Sequence, residues 1–443
     1  MTTLITNAAL CTRDDAQPFI ADGALAYDGT TITAVGPTAE LVARYPEAEQ
    51  IDARGRLVMP GMINAHMHYY STFARGIDLG SPPPTTFGQI LSGLWWKLDK
   101  LLTLDDVYYS AIGPMIDAVR MGVTSVIDHH ASPHAVRGSL FRLAEAAQLL
   151  GLRSNLCYEV SDRDGGSIAR AGIAENIEFA RYCQALDDDI LRPLFGLHAQ
   201  MTLSDQTLAA ATEQAAGLGL GYHIHAAEGI EDVVDCIAQH GCRVIPRLAQ
   251  YGILSERSIA VHCVQVLDEE IELLAESGVA VVNNPESNMS NAVGTAPVLK
   301  MLKAGVLVGL GTDGYCVDMT ESLRALQAIQ KHVAGLPAVA WAESHLMLFQ
   351  NNRAIMNRLL RGTVGVLAPG AYADIIILGY RPPTPLDART LDSHILFGVS
   401  GRDVDTTIIN GRLVLYEREL VGIDEERLLA ESRAAAAALW ARA

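Results

Sequence analysis

The residues with the widest chemical repertoire fall in a fixed order along this chain. His66 and His68 stand two apart in Asn64-Ala-His66-Met-His68. On a strand, positions i and i+2 point to one side, so two imidazoles at that spacing can share a metal ion. Tyr222-His223-Ile-His225-Ala-Ala-Glu228 offers a further imidazole with a carboxylate three residues on. Val261-His262-Cys263 adds one histidine, and Leu310-Gly-Thr-Asp313-Gly sets an acid among glycines. A buried carboxylate needs a partner, and a divalent cation is one. Each motif alone is a weak signal. Together, His66, His68, His225 and Asp313 form a three-nitrogen, one-oxygen set suited to one divalent ion, Zn2+ first and Fe2+ as the alternative. An open coordination position would hold a water whose pKa falls to about 7. Glu228 is then the candidate proton shuttle and His262 an acid/base partner. His223 reads as a packed or hydrogen-bonded histidine.

These motifs end β-branched, glycine-bounded runs. Eight such runs occur: 57–68, 123–129, 153–160, 192–199, 218–227, 258–264, 279–285 and 306–314. Helix-like segments separate them, at 105–120, 136–150, 168–185, 204–218, 230–250, 268–277 and 296–304. Strands alternating with helices give βαβ units and a parallel sheet. Eight repeats without a GxGxxG after the first strand predict an α/β fold of the (β/α)8 TIM-barrel type, whose working residues stand at the strands' C-terminal ends. Residues 1–58 and 367–420 instead alternate with turn signals, among them Asn410-Gly411. The predicted organisation is a barrel over 59–366, with a small discontinuous β domain built from 1–58 and 367–443, the latter ending in a helix.

Composition narrows the partners. Lys+Arg 33 against Asp+Glu 51 leaves a net charge of −18 with no basic cluster, which excludes nucleic acid and anionic membranes as expected ligands. Hydrophobic residues at 49% and charged residues at 19% argue for a packed core. No signal-like N-terminus and no apolar run of about 18–20 residues is visible. Seven scattered cysteines without a CxxC pair predict free thiols and a cytoplasmic protein.

PGMINAHMH, HIHAAE, VHC and GLGTDG, taken in that order, resemble the metal and catalytic motifs of the amidohydrolase superfamily. The likeness spans nearly the whole chain. It is nearest to the mononuclear-metal aminohydrolases, which include deaminases of cytosine, guanine and methylthioadenosine/S-adenosylhomocysteine. AHMHYYSTFARGI, CYEVSDRDG and GTDGYCVDMTESLR are similar to aminohydrolases associated with selenium metabolism and purine breakdown. The resemblance implies a metal on His66, His68, His225 and Asp313, proton transfer by Glu228 and Asp313, and His262 beside the hydrolytic water. It also implies substrate-side roles for His198, Ser287, Asn288, Trp96 and Asp99. Trp96-Lys-Leu-Asp99 sits where adenosine-type deaminases carry Trp-Pro-Leu-Glu, whose Glu holds ribose hydroxyls. The shorter acid here, and Val317 in place of a small polar residue, weigh against a nucleoside.

The activity implied is hydrolysis of a non-peptide carbon–nitrogen bond, deaminating a purine-, pyrimidine- or triazine-like ring by metal-hydroxide attack. Ring opening of a cyclic amide or ureide is the enzymatic alternative, and a non-catalytic metal scaffold is the alternative of another class. The partner is a small heterocycle, and a homo-oligomer, dimer or larger, is expected. His129 and His130 read as structural or supporting residues. Trp95, Trp96, Tyr69 and Tyr70 form either an aromatic wall for a flat ring or packing for the first loop. Arg75 pairs a substrate group or a nearby acid, and residues 162–164 read as a solvated loop.

Overall fold

Eight short strands of the computed structural model, which describes residues 2–186 and 188–443, run parallel around one axis. They are Met62–Met67, Val123–Asp128, Arg153–Leu156, Leu191–Pro193 continued by Phe195–Ala199, Tyr222–Ala226, Ile259–His262, Ala280–Asn283 and Leu307–Leu310. Their ladders form two arcs. Parallel bridges Val160–Leu197 and Met67–Asp313 join the arcs, so the first strand meets the last and the barrel closes. Asn352 clamps that seam. Its Nδ2 donates to the carbonyls of Ile63 and Leu310 at 2.7 and 2.8 Å, and its Oδ1 accepts from the Leu310 amide at 2.8 Å. A Cβ on Gly309 would lie 2.5 Å from that Oδ1, so only glycine admits the clamp.

The run 57–68 is two strands rather than one. Leu57–Pro60 belongs to a sheet outside the barrel, and Met62–Met67 opens the barrel. Gly61 separates them, because a Cβ there would meet Thr124 at 2.1 Å. Alternation alone cannot signal such a break, since both halves are apolar and buried. The helical segment 230–250 also divides, into Ile230–His240 and Val244–Gln250, at Gly241 with φ 69°.

Both chain ends build one nine-stranded sheet. Thr2–Cys11 pairs Leu57–Pro60 in parallel, and Leu57–Pro60 pairs Ile375–Leu378 antiparallel. Val404–Ile409 and Arg412–Tyr416 extend it through a hairpin whose Asn410 and Gly411 both have positive φ. Ile5, Leu25, Val58, Ile375 and Ile408 form its separate apolar core. Helix Glu425–Trp440 returns to the barrel, where Trp440 Nε1 donates to the Phe73 carbonyl at 2.9 Å. No helix among the described residues is long and apolar enough to cross a membrane.

Candidate active site

Three strand ends aim their side chains inward through an unusual backbone. Ala227, His262 and Asp313 have φ of 50°, 72° and 57°. Left-handed non-glycine residues cost about 1–3 kcal/mol each and concentrate at functional sites. Here they turn the chain away as it leaves the fifth, sixth and eighth strands.

His66 projects from the first strand, His68 from just beyond it, His225 from the fifth and Asp313 from just beyond the eighth. His68 Nε2 lies 3.2 Å from Asp313 Oδ1 and 3.2 Å from His225 Nε2, and His66 Nε2 lies 3.8 Å from Asp313 Oδ1. Tetrahedral bonds of about 2.0–2.1 Å set ligand atoms about 3.3 Å apart. The observed separations are of that size. His66 Nε2 is buried without a hydrogen-bond partner, a state that costs free energy unless something coordinates it. Their opposite nitrogens are taken: His66 Nδ1 by His223 Nε2 at 2.9 Å, His68 Nδ1 by the His129 carbonyl at 2.5 Å, and His225 Nδ1 by the His198 carbonyl at 3.0 Å. Such outer bonds fix ring orientation and tautomer. The four residues fit a divalent cation.

Glu228, His262 and Asp313 form a second cluster around the same point. His262 Nε2 lies 3.4 Å from Glu228 Oε2 and 3.8 Å from Asp313 Oδ2. Asn288 Nδ2 donates to His262 Nδ1 at 2.8 Å, and Ser287 Oγ donates to Asp313 Oδ2 at 2.6 Å. Asn291 Nδ2 donates to Glu228 Oε1 at 3.3 Å. Burial pushes the Glu228 carboxyl well above the usual range, and the Asp313 charge adds to the push. Burial acts the same way on Asp313, but the closeness of His66 and His68 and the His68 charge outweigh it and hold Asp313 well below that range. Burial lowers His66 to about 4 and His262 to about 3. It also opposes protonation of His68, yet the hydrogen bond and charge of Asp313, with Glu159, raise that residue to about 9.

A cavity of about 320 Å³ opens over this cluster, within the range of small-molecule sites. Its roof comes from the excursion after the first strand, with Phe87, Leu91, Trp95 and Trp96. Tyr70 joins this apolar wall, with its ring 6.4 Å from Trp95, whereas Tyr69 is packed in the core against Ser154. His198, Asp99, Trp96 and Ser287 line the cavity; Asn288 sits behind His262 and does not. Asp99 is 1% exposed and burial lifts it to about 6, although the adjoining Arg163 guanidinium draws it down. The loop 162–164 is therefore not merely solvated: Arg163 pairs with Asp99, bonds Asp164 at 3.0 Å and lies 5.3 Å from the Trp96 ring centroid. Arg75 lies outside the cavity lining, 3.9 Å from Asp117. His130 Nε2 bonds Ser132 Oγ at 2.9 Å.

Glu159 was not singled out from sequence. It lines the cavity with its Oε1 3.3 Å from His68 Nδ1. It stands inside CYEVSDRDG, a segment read for its likeness as a whole and not for this acid. Its position beyond the end of the third strand, within that segment, was the signal that could have found it.

Residues 57–414 match the model of the amidohydrolase family. The chain belongs to the amidohydrolase family. Residues 23–48 of this amidohydrolase, within the terminal sheet, match an imidazolonepropionase-like composite domain of bacteria. A 5-methylthioadenosine/S-adenosylhomocysteine deaminase of Pelotomaculum thermopropionicum is 31% identical over 434 residues, 97% of each chain. A 5'-deoxyadenosine deaminase of Methanosarcina mazei is 30% identical, over 99% of this chain and 98% of its own. An adenosine deaminase from Xanthomonas campestris with bound zinc superposes with a TM-score of 0.86, at 25% identity, covering 99% and 98%. Escherichia coli guanine deaminase shares the fold, with a TM-score of 0.79 at 18% identity, covering 94% and 99%. This amidohydrolase is a metal-dependent hydrolase of carbon–nitrogen bonds other than peptide bonds.

Proposed function

We propose that the chain deaminates an amino-substituted heterocycle of the purine type, releasing ammonia and leaving the ring intact. The observation that carries this reading is the opposed pair Glu228 and Asp313, which meet at His262 Nε2 at 3.4 and 3.8 Å, with burial driving one carboxyl up and the neighbouring histidines holding the other down. Two acids whose environments drive them apart are matched to an acid step and a base step. His66, His68, His225 and Asp313 would hold the metal, zinc by preference on the donor set and the zinc-bearing relative. When bound, a divalent cation supplies Lewis-acid activation of the hydrolytic water.

The residues divide the remaining work. Glu228 gives its proton to the ring nitrogen beside the amino-bearing carbon. That carbon is attacked by the oxygen of the water. Asp313 accepts the water proton and passes it to the departing amine, with Ser287 Oγ holding the Asp313 oxygen in place. His262, fixed by Asn288, presents Nε2 to both carboxyls and steadies the charge between them. As the amine leaves, the hydroxyl proton of the adduct returns to Glu228, giving the oxo-substituted ring plus ammonia. Trp96 and His198 flank the ring, and Asp99 closes the far end.

Ammonia release should be screened against aminopurines, aminopyrimidines, aminotriazines and their nucleosides, with metal content measured alongside. Glu228→Gln should abolish release while retaining metal. Full turnover by that variant, or the absence of ammonia from every substrate, defeats the reading.

We further propose the division 1–58, 59–366 and 367–443, a cytoplasmic location on the strength of seven free thiols, and self-association. Ile230, Val234 and Ile237 support the last: they are 55%, 59% and 47% exposed on one face of a helix. Val234→Glu should lower the mass seen in sedimentation if a second copy covers that face.

A further inference from the structure

Glu159 has no part in the steps above, yet it is poorly satisfied. It is 6% exposed and lines the cavity. Its Oε1 lies 3.3 Å from His68 Nδ1 and 3.5 Å from His129 Nδ1 but makes a hydrogen bond with neither. His68 Nδ1 already donates to the His129 carbonyl. Glu159 Oε2 is 3.8 Å from His198 Nε2, too far for a hydrogen bond. Oε1 is closed off against the two histidines, whereas Oε2 has no hydrogen bond among the described residues and is the oxygen left to the cavity, so whatever enters the cavity can donate to it.

The neighbouring charges are spoken for. Arg163 pairs with Asp99 and with Asp164, and Asp164 also pairs with Lys100 at 2.7 Å. Two acids and two bases thus neutralise one another along this wall. Asp99 Oδ2 is engaged by Arg163, while Asp99 Oδ1 is buried without a partner among the described residues, and Arg163 is not free to hold an anionic tail. Glu159 is the acid on this wall with histidines, and no arginine or lysine, within ion-pair distance.

We propose that Glu159 accepts a hydrogen bond from the imidazole-ring N–H of a purine, and that the substrate is an uncharged, amino-substituted free base rather than its nucleoside. This rests on the deaminase reading. A carboxylate offers only acceptors. An adenine bearing a sugar on its imidazole nitrogen has no ring N–H, so its ring nitrogens would face Glu159 lone pair to lone pair. A free aminopurine, or one also carrying an oxo group, keeps a ring N–H. Sites built to bond such a group reject analogues lacking it by factors up to about 10⁴–10⁵, because the buried partner is left unpaired.

The test is ammonia release from matched pairs: guanine and guanosine, adenine and adenosine, with 5'-deoxyadenosine added. The free base of at least one pair should exceed its nucleoside by about 100-fold or more in kcat/KM. Glu159→Leu, which removes the acceptor, should raise KM for that base about tenfold with little change in kcat, and should narrow the base-to-nucleoside ratio. Metal content and melting temperature identify a misfolded variant, and Glu159→Asp, which keeps the acceptor, should recover part of the ratio. Nucleosides turned over as well as bases, or an unchanged KM and ratio in Glu159→Leu, overturn the assignment while leaving the deaminase intact. Ammonia from neither class overturns both.

Discussion

The Nε2 atoms of His68 and His225 face each other at 3.2 Å across the barrel mouth. Each ring has its Nδ1 against a carbonyl oxygen, of His129 and of His198. A carbonyl only accepts, so both Nδ1 atoms carry the hydrogen and both Nε2 atoms present lone pairs when the rings are neutral. Only a proton or a cation between them makes that arrangement favourable.

Metal content follows from this geometry. One divalent ion per chain should copurify, and His225→Ala should reduce it to a small fraction. Chelation should abolish turnover and lower the melting temperature, because a ligand of the native state alone stabilises that state. Readdition of zinc should restore both. Elemental analysis with a thermal melt checks this, and equal metal in wild type and His225→Ala would refute it.

The tautomer of His262 is set by Asn288. An amide nitrogen can only donate, so His262 Nδ1 accepts at 2.8 Å and Nε2 bears the hydrogen facing Glu228 and Asp313. Asn288→Asp reverses the demand and draws the hydrogen to Nδ1. We expect kcat to fall about 10²-fold with metal content retained, as misplacing a catalytic proton does. Steady-state kinetics decide it, and an unchanged kcat would mean that the tautomer is immaterial.

The metal ligands were legible in sequence because their types are uncommon and the barrel orders them strand by strand. His66, His68, His225, His262 and Asp313 each end a strand-like run, and closure of the barrel brings such ends together. Asp99 with Arg163 was not legible. These residues lie 64 positions apart and meet only because the excursion after the first strand folds over the third. Glu159 escaped for the same reason: its environment is made wholly by other strands. The break at Gly61 depends on Thr124 in the next strand, a contact that no local pattern records.

Asp99 gives a pH prediction with a definite sign. Burial raises it from an ordinary carboxylate value to about 6, against the pull of Arg163. The folded chain then binds this proton more tightly than the unfolded chain does. Its contribution to stability is complete below about pH 4, declines as pH rises, and is gone above about 6. Relative to Asp99→Asn, which does not titrate, wild type should gain stability as pH falls from 6 to 4. Urea midpoints at several pH values measure the difference between the two proteins. A gap that stays constant across that interval would contradict the assignment.

Arg153 and Asp374 join the barrel to the terminal sheet. Both are fully buried, with Arg153 Nε and Nη2 on the two carboxylate oxygens at 3.1 and 3.2 Å. Arg153 Nη1 also donates to the Asp189 carbonyl at 2.7 Å, and the Asn410 amide donates to Asp374 Oδ1 at 2.6 Å. Removing one partner strands a buried charge, whereas removing both does not. Asp374→Leu or Arg153→Leu alone should therefore cost about 3–5 kcal/mol. The double variant should cost clearly less than the sum, because the two residues share one interaction. Arg153 lies toward the start of its strand and Glu159 beyond the end, so activity per folded molecule should survive in all three. Denaturant unfolding with kinetics on the folded fraction tests this. Additive losses would show that the two charges are stabilised separately.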